Sequence, residues 1–382
     1  MDKRKHISLI YEFLSEQGGL EREIINHANF LKREGYDVDV LTCYLDPRIL
    51  KLLPFEGIPI KVISSFKTPF ESLNLILSFL GFNDLKMRNP DLFISYSAPC
   101  NFLLRNKSTK KINYINHYPH YLYEKNKVEW ARSTQGIKRW LSVILSWFIG
   151  GYLKKIDKTL LKKNDLNLVN SEFTRKRLER IYNTNFVVSY PPIDPKFKPS
   201  KKRMKDKFIF SSSRIIPDKK YDWLITSLKH LENKIPLYIA GSVNRTYKKE
   251  LIDLANKNKV KIKFLGRLNT KQIIDYYTNA LVFAFPAPKE DFGLVPAESL
   301  ACGTPVVAWG DGAGPTEQII DGVNGYLAKP YDLKDFAAKI DLCIKSRMKI
   351  KNRKKILKSS EKFSAKKIEK DFIKEINRIL SQ

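Results

Sequence analysis

Short apolar runs alternate with amphipathic stretches along the whole chain, and this alternation limits the possible folds more than any other feature. HISLIYEFL (6–14) reads as a strand, REIINHANFLKREG (22–35) as an amphipathic helix stopped at Gly35, and DVDVLTCY (37–44) as the next strand. Strand, helix and strand at that spacing form a βαβ unit, which implies a parallel sheet covered by helices. DLFISYS (91–97), KINYIN (111–116) and LNLVNS (166–171) continue the series, and NSEFTRKRLERIY (170–182) adds a capped helix.

The series is interrupted at YPPIDPKFKPSKKR (190–203), which holds four prolines and a basic run without periodicity and reads as a linker. A second set of strands follows: KFIFSSS (207–213), PLYIAGS (236–242), KIKFLG (261–266), LVFAFP (281–286) and TPVVAWG (304–310). The expected fold is α/β: two Rossmann-like doubly wound domains facing across a cleft, 1–190 and 204–365, joined by 191–203. A last helix, 366–382, is expected to return to the first domain. A chain of 382 residues, 43% of them apolar, has enough material for two cores. In such sheets ligands lie at the carboxyl ends of the strands.

The formal net charge is +29, which favours anionic partners such as nucleic acid, lipid headgroups or phosphorylated small molecules. The run from Lys345 to Lys358 has eight basic residues and no acid, but no aromatic-interleaved RNA-binding motif accompanies it, so nucleic acid is not the expected partner. Cys43, Cys100, Cys302 and Cys343 are scattered, without a metal-binding or disulfide pattern, and fit a reducing cytoplasm. The opening MDKRKHISLIYEFL passes straight from charge into a strand and is not read as a signal peptide. WLSVILSWFIGGYL (140–153) is too short for a membrane span and is flanked by Lys138, Arg139, Lys154 and Lys155. It is either a buried helix or one that dips into an anionic bilayer surface.

Two constellations carry chemistry. In SSSRIIPDKKYDWLITSL (211–228), Arg214 and Lys219 occupy a loop before a helix starting near Tyr221. Two cations beside a helix N-terminus suit a diphosphate, although such a loop taken alone is more often an ordinary solvated one. In EDFGLVPAESLACG (290–303), Glu290 ends the loop after a strand and Glu298 lies on the following helix. Two carboxylates accept hydrogen bonds from a polyol such as a sugar or ribose, and the backbone N–H groups of Phe292, Gly293 and Leu294 are expected to face the same ligand.

The stretch 281–326, with FGLVPAESLACGTPV at its centre, resembles the signature of the family 4 glycosyltransferases, retaining enzymes of the GT-B fold. Glu290 and Glu298 match their paired glutamates, and Arg214 and Lys219 match their diphosphate loop. Gly18 and Gly19 in EQGGLER match their N-terminal glycine loop, while NSEF (170–173) and YPPID (190–194) match two further passages. The resemblance is weakest over 45–110 and 121–165. It implies that Arg214 and Lys219 stabilise the departing diphosphate, that Glu298 holds ribose hydroxyls, and that Glu290 contacts the donor sugar. It further implies that Gly18 and Gly19 let backbone approach the donor phosphates, and that His117 in YINHYPH lies beside the donor sugar. No metal or other cofactor is implied, and no side-chain base. The partners implied are a GDP- or UDP-sugar, with GDP-mannose the first choice from the likeness of YINHYPH to mannosyltransferases, and a saccharide or lipid-linked acceptor at the cytoplasmic face of an anionic membrane. Two departures stand out. Lys220 and Asp291 occupy positions where the family usually has glycine, and a side chain resists the positive φ that glycine permits.

Overall fold

The computed structural model describes residues 4–15, 18–50, 55–63, 89–117, 119–124, 127–128 and 137–382. The chain divides into two compact units. The first is built from residues up to 128, from Ile137–Pro192 and from Ile368–Gln382; Ile193–Lys367 lies in the second.

The first unit is a parallel sheet of β1 (His6–Leu14), β2 (Asp37–Leu45), β3 (Ile60–Val62), β4 (Leu92–Ser95), β5 (Lys110–Ile115), β6 (Leu166–Val169) and β7 (Val187–Val188). Their order is β3-β2-β1-β4-β5-β6-β7. β4 (LFIS) and β6 (LNLV) are buried along their whole length and are mostly apolar, as strands covered on both faces must be. The helix Gly19–Arg33 follows β1 and turns Ile24, Ile25, Ala28, Phe30 and Leu31 inward.

The last helix, Ala365–Ser381, buries Ile368, Phe372, Ile373, Ile376 and Ile379. Phe372 stacks on the ring of His27 at 4.0 Å, Arg33 pairs with Glu369 at 2.7 Å, and Lys5 and Lys110 donate to the terminal carbonyls of Leu380 and Ile379. Cations at a helix C-terminus satisfy carbonyls that have no partner within the helix.

The second unit is a parallel sheet of β8 (Ile209–Ser212), β9 (Leu237–Ala240), β10 (Ile262–Gly266), β11 (Val282–Phe285), β12 (Val306–Trp309) and β13 (Gly325–Ala328), ordered β10-β9-β8-β11-β12-β13. Strand order reverses between β8 and β11, the point where such sheets bind ligands. The proline-rich stretch read as a linker is tied down along its length. Ile193 bridges to Ser364, Phe197 is buried edge-on to Tyr277, and the Ser200 hydroxyl donates to Asp275 at 2.5 Å.

The helix over the apolar stretch 140–153 runs from Ile137 to Lys162, and its aromatic side chains do not go inward: Trp147, Phe148 and Tyr152 are exposed. This corrects the reading of that stretch as a buried helix. Among the described residues no helix is long and apolar enough to cross a membrane.

Candidate functional site

In the second unit the loops leaving β8 and β11 start from the two strands that flank the reversal. The β8 loop carries Arg214, whose residue is exposed, then a single 3₁₀ turn, Pro217–Lys219, and the helix Tyr221–Leu228. Lys220 separates turn from helix with φ +51°, so this position does require the left-handed backbone that glycine supplies elsewhere, and a lysine adopts it here. Its ammonium sits 5.0 Å from the centre of the Trp223 ring. Asp291, the second departure, is not among the residues with positive φ; Lys289 and Gly293 take that role in its loop, at +48° and +79°.

The loop between β11 and the helix Leu294–Ala301 is fastened at successive points to the end of β12 and the residues after it. The Trp309 indole donates to Pro286 O at 2.7 Å, Lys289 N–H donates to Asp311 Oδ2 at 2.8 Å, and Gly314 N–H donates to Glu290 O at 2.8 Å. The Gln318 amide donates to Phe292 O at 2.6 Å and Gly293 O at 3.0 Å. A Cβ on Gly314 would lie 2.3 Å from Phe292 Cα, so only glycine permits this close approach. Phe292 is buried and meets Phe363 edge-on, and Gly293 starts the helix Leu294–Ala301.

These fastenings place Glu290 against the loop after β8: its Oε2 is 2.5 Å from Lys219 Nζ, and both side chains stay partly open to solvent. Glu298, the fifth residue of its helix, is 3% exposed and accepts a hydrogen bond from the Tyr277 hydroxyl at 3.2 Å. That hydroxyl also shares a hydrogen bond with Ser212 at the end of β8. Burial, and then the charge of Glu298, push the Tyr277 phenol well above its usual pKa. Tyr277 therefore stays a donor at any working pH and fixes one oxygen of Glu298.

Arg214, Lys219, Glu290, Phe292, Gly293, Leu294 and Glu298 all lie in this unit. Sequence reasoning missed Tyr277, Gly314 and Gln318, which hold the predicted side chains and loop in place. GDGAGPTEQ (310–318) offered one clue, a glycine-dense turn directly after a buried strand.

Gly18, Gly19 and His117 belong to the first unit. Gly18 caps the helix Gly19–Arg33 on the loop after β1, and His117 is exposed just beyond β5, its ring 5.7 Å from that of His120. Behind them lies a buried polar cluster. The Tyr114 hydroxyl is hydrogen-bonded to both the Glu23 carboxyl and Ser189 O, and His27 Nδ1 is 2.8 Å from the Tyr96 hydroxyl. Burial raises the Glu23 carboxyl to about 8 and lowers the His27 imidazole to about 3, leaving both uncharged at neutral pH. Among the described residues no three His, Cys, Asp or Glu side chains gather as a metal site requires.

Comparison with known proteins matches residues 17–197 to the family model "Glycosyltransferase Family 4" and residues 192–363 to "Glycosyl transferases group 1". The D-inositol 3-phosphate glycosyltransferase of Xylanimonas cellulosilytica is 37% identical over 115 residues, 29% of this chain and 27% of that protein. The mouse (Mus musculus) alpha-1,3/1,6-mannosyltransferase ALG2 is 23% identical over 359 residues, 82% of this chain and 81% of that one. The first four curated relatives are matched over 16% to 45% of their own length. Among solved structures, the sucrose-phosphate synthase of Thermosynechococcus elongatus aligns with a TM-score of 0.76 over 99% of this chain and 100% of that one, at 16% identity. Anabaena HepE in complex with UDP-glucose aligns with a TM-score of 0.73 over 98% and 99%, at 18% identity. The two family models adjoin at the proline-rich stretch and between them span nearly the whole chain, the solved structures share its fold from end to end, and the chain belongs to the family 4 glycosyltransferases with the GT-B fold.

Proposed function

We propose that the protein is a retaining glycosyltransferase that moves a hexose from a nucleotide-sugar to a saccharide or lipid-linked acceptor at the cytoplasmic face of a membrane. The observation that carries the reading is the contact of Lys219 with Glu290 at the β8–β11 reversal, with Arg214 on the same loop and Glu298 buried behind. One sheet end thus offers cations for a diphosphate and carboxylates for hydroxyl groups.

In the reaction the bond between the anomeric carbon and the diphosphate oxygen breaks, and the electron pair leaves with the diphosphate. Arg214 and Lys219 stabilise the charge that develops there, which supplies electrostatic assistance without a metal. The acceptor oxygen bonds to the anomeric carbon from the same face, and its proton passes to the departing phosphate oxygen. Glu290 and Glu298 orient hydroxyls of sugar and ribose. Gly18, Gly19 and His117 keep the roles implied by the family resemblance.

The donor is proposed to be GDP-mannose. Support comes from YINHYPH and from the mannosyltransferase named among the relatives; the neighbour bound to UDP-glucose makes a UDP-sugar the competing choice. Two of the eight basic residues in the run from Lys345 to Lys358 are engaged within the unit: Lys349 is half-buried and donates to Thr278 O and Ala280 O, and Lys345 pairs with Glu232.

Thermal shift with GDP, UDP, ADP and dTDP tests the reading, since a ligand that binds only the folded state raises the midpoint. GDP is expected to stabilise the wild type. Lys219→Ala is expected to weaken GDP binding roughly 10- to 100-fold, the worth of one charge-assisted hydrogen bond. UDP acting in place of GDP would reassign the donor, and no shift with any nucleotide would overturn the enzyme reading. Equal transfer with and without membranes would place the acceptor in solution.

A further inference from the structure

Among its described side chains, the helix Ile137–Lys162 is anchored along one face. Val143, Ser146, Gly150 and Leu161 are buried, and the Asp157 carboxylate accepts hydrogen bonds from Tyr182 at 2.6 Å and Tyr123 at 2.8 Å. Those two phenols fix the rotation of the helix about its axis, and the opposite face is left outward. Trp147 is 62% exposed, Phe148 81% and Tyr152 68%, with Ile144 beside them. Their spacing of three and four residues puts all four on one stripe of the helix. The same stripe continues through Lys155, Lys158 and Lys162, all exposed. One helix face is therefore aromatic over its middle turns and basic over its last.

We propose that this stripe is a membrane-docking surface that lies flat in the headgroup region of an anionic bilayer, Trp147, Phe148 and Tyr152 inserted and Lys155, Lys158 and Lys162 on lipid phosphates. The rings carry large apolar bodies, and Trp and Tyr add polar tips that favour the interface. Lysine stems lie along apolar surface while their heads reach the phosphates. The helix is not apolar enough to cross, which fits an in-plane position. The basic continuation and the net charge of +29 select an anionic surface over an apolar protein groove. The proposal deepens the lipid-linked acceptor reading by assigning the surface that brings the enzyme to its acceptor; the exposed stripe itself is observed independently of any substrate.

The test compares wild type with the triple variant Trp147→Ser, Phe148→Ser, Tyr152→Ser in co-sedimentation with vesicles of phosphatidylcholine, with or without phosphatidylglycerol. Wild type is expected to bind the phosphatidylglycerol vesicles at least about tenfold more strongly than the neutral ones. The triple variant is expected to lose at least about tenfold in that binding. Trp147 fluorescence is expected to be quenched by brominated lipid, with the quenching absent in Trp147→Ser. All replaced side chains are exposed, so the nucleotide-induced thermal shift should be unchanged; a variant lacking that shift would be misfolded, and Phe148→Ser alone then serves as the readout. Absent vesicle binding, or equal binding by wild type and variant, overturns the proposal. So does a wild-type dimer that the substitutions dissolve, which would make the stripe a contact between copies. A failed nucleotide panel alongside intact vesicle binding would instead count against the enzyme reading alone.

Discussion

Glu23 and His27 lie one turn apart on the helix Gly19–Arg33, and burial shifts them in opposite directions. For Glu23 the folded pKa, about 8, lies above the usual 4.5, so the folded state holds a proton that the unfolded chain has released. Its contribution is full below the unfolded pKa and is lost as pH rises towards 8. For His27 the folded value, about 3, lies below 6.5, so stability falls as pH drops from 6.5 towards 3. Glu23→Gln mimics the protonated acid and is expected to remove the alkaline loss, on the order of 3–5 kcal/mol at pH 8, with little change at pH 5. Urea denaturation at the two pH values checks this; equal effects at both would remove Glu23 as the source. Neither group was legible in the sequence. A glutamate and a histidine in an amphipathic helix look like surface residues until the aromatic side chains around them, Tyr96, Tyr114 and Phe372, are known. Arg214, Lys219, Glu290 and Glu298 could be named as candidates because their chemistry and spacing survive without packing information.

At the scale of elements, the second unit holds Glu290 by its backbone more than by its side chain. Gly314→Ala is expected to push the turn at Asp291 and Phe292 away, because its Cβ would meet backbone on both, Phe292 Cα at 2.3 Å and Asp291 O at 2.4 Å. A shift of about 1 Å in Glu290 is expected to lower transfer roughly 100-fold, while the circular-dichroism spectrum stays native. Transfer unchanged within twofold would show that the turn absorbs the methyl group. The strands carry a related lesson. β1, β5, β8 and β11 could be read directly, since each carries a short cluster of apolar residues. β3, β7 and β13 escaped, and all three lie at sheet edges, two of them only two or three residues long. Periodicity has little to work with at such lengths, and an edge strand is defined by the neighbour that pairs with it.

At the scale of the whole molecule, the first unit is assembled from distant parts of the chain. Phe372 is buried and stacked on His27, which leaves that histidine dependent on a helix more than three hundred residues away. Phe372→Ala is expected to cost about 3–5 kcal/mol, as loss of a buried aromatic does. Hydrogen exchange should locate the effect in the helix Gly19–Arg33 and β1, with β8 to β13 unaffected; uniform loosening would instead mean that the two units unfold as one. The return of the last helix is expected from the fold type alone, not from any residue pattern. Which surface that helix covers is a long-range fact.

That discontinuity also sets an order of events on the ribosome. Residues 193–367 form a continuous segment and emerge complete before the last helix does. They are free to fold while the tunnel still holds Ile368, Phe372 and Ile376. The first unit, although most of it precedes the second along the chain, waits with the Phe372 side of His27 uncovered until the helix that carries Phe372 has followed. The part made before the second unit is thus finished after it, and during that interval it is the part most open to a chaperone or a protease.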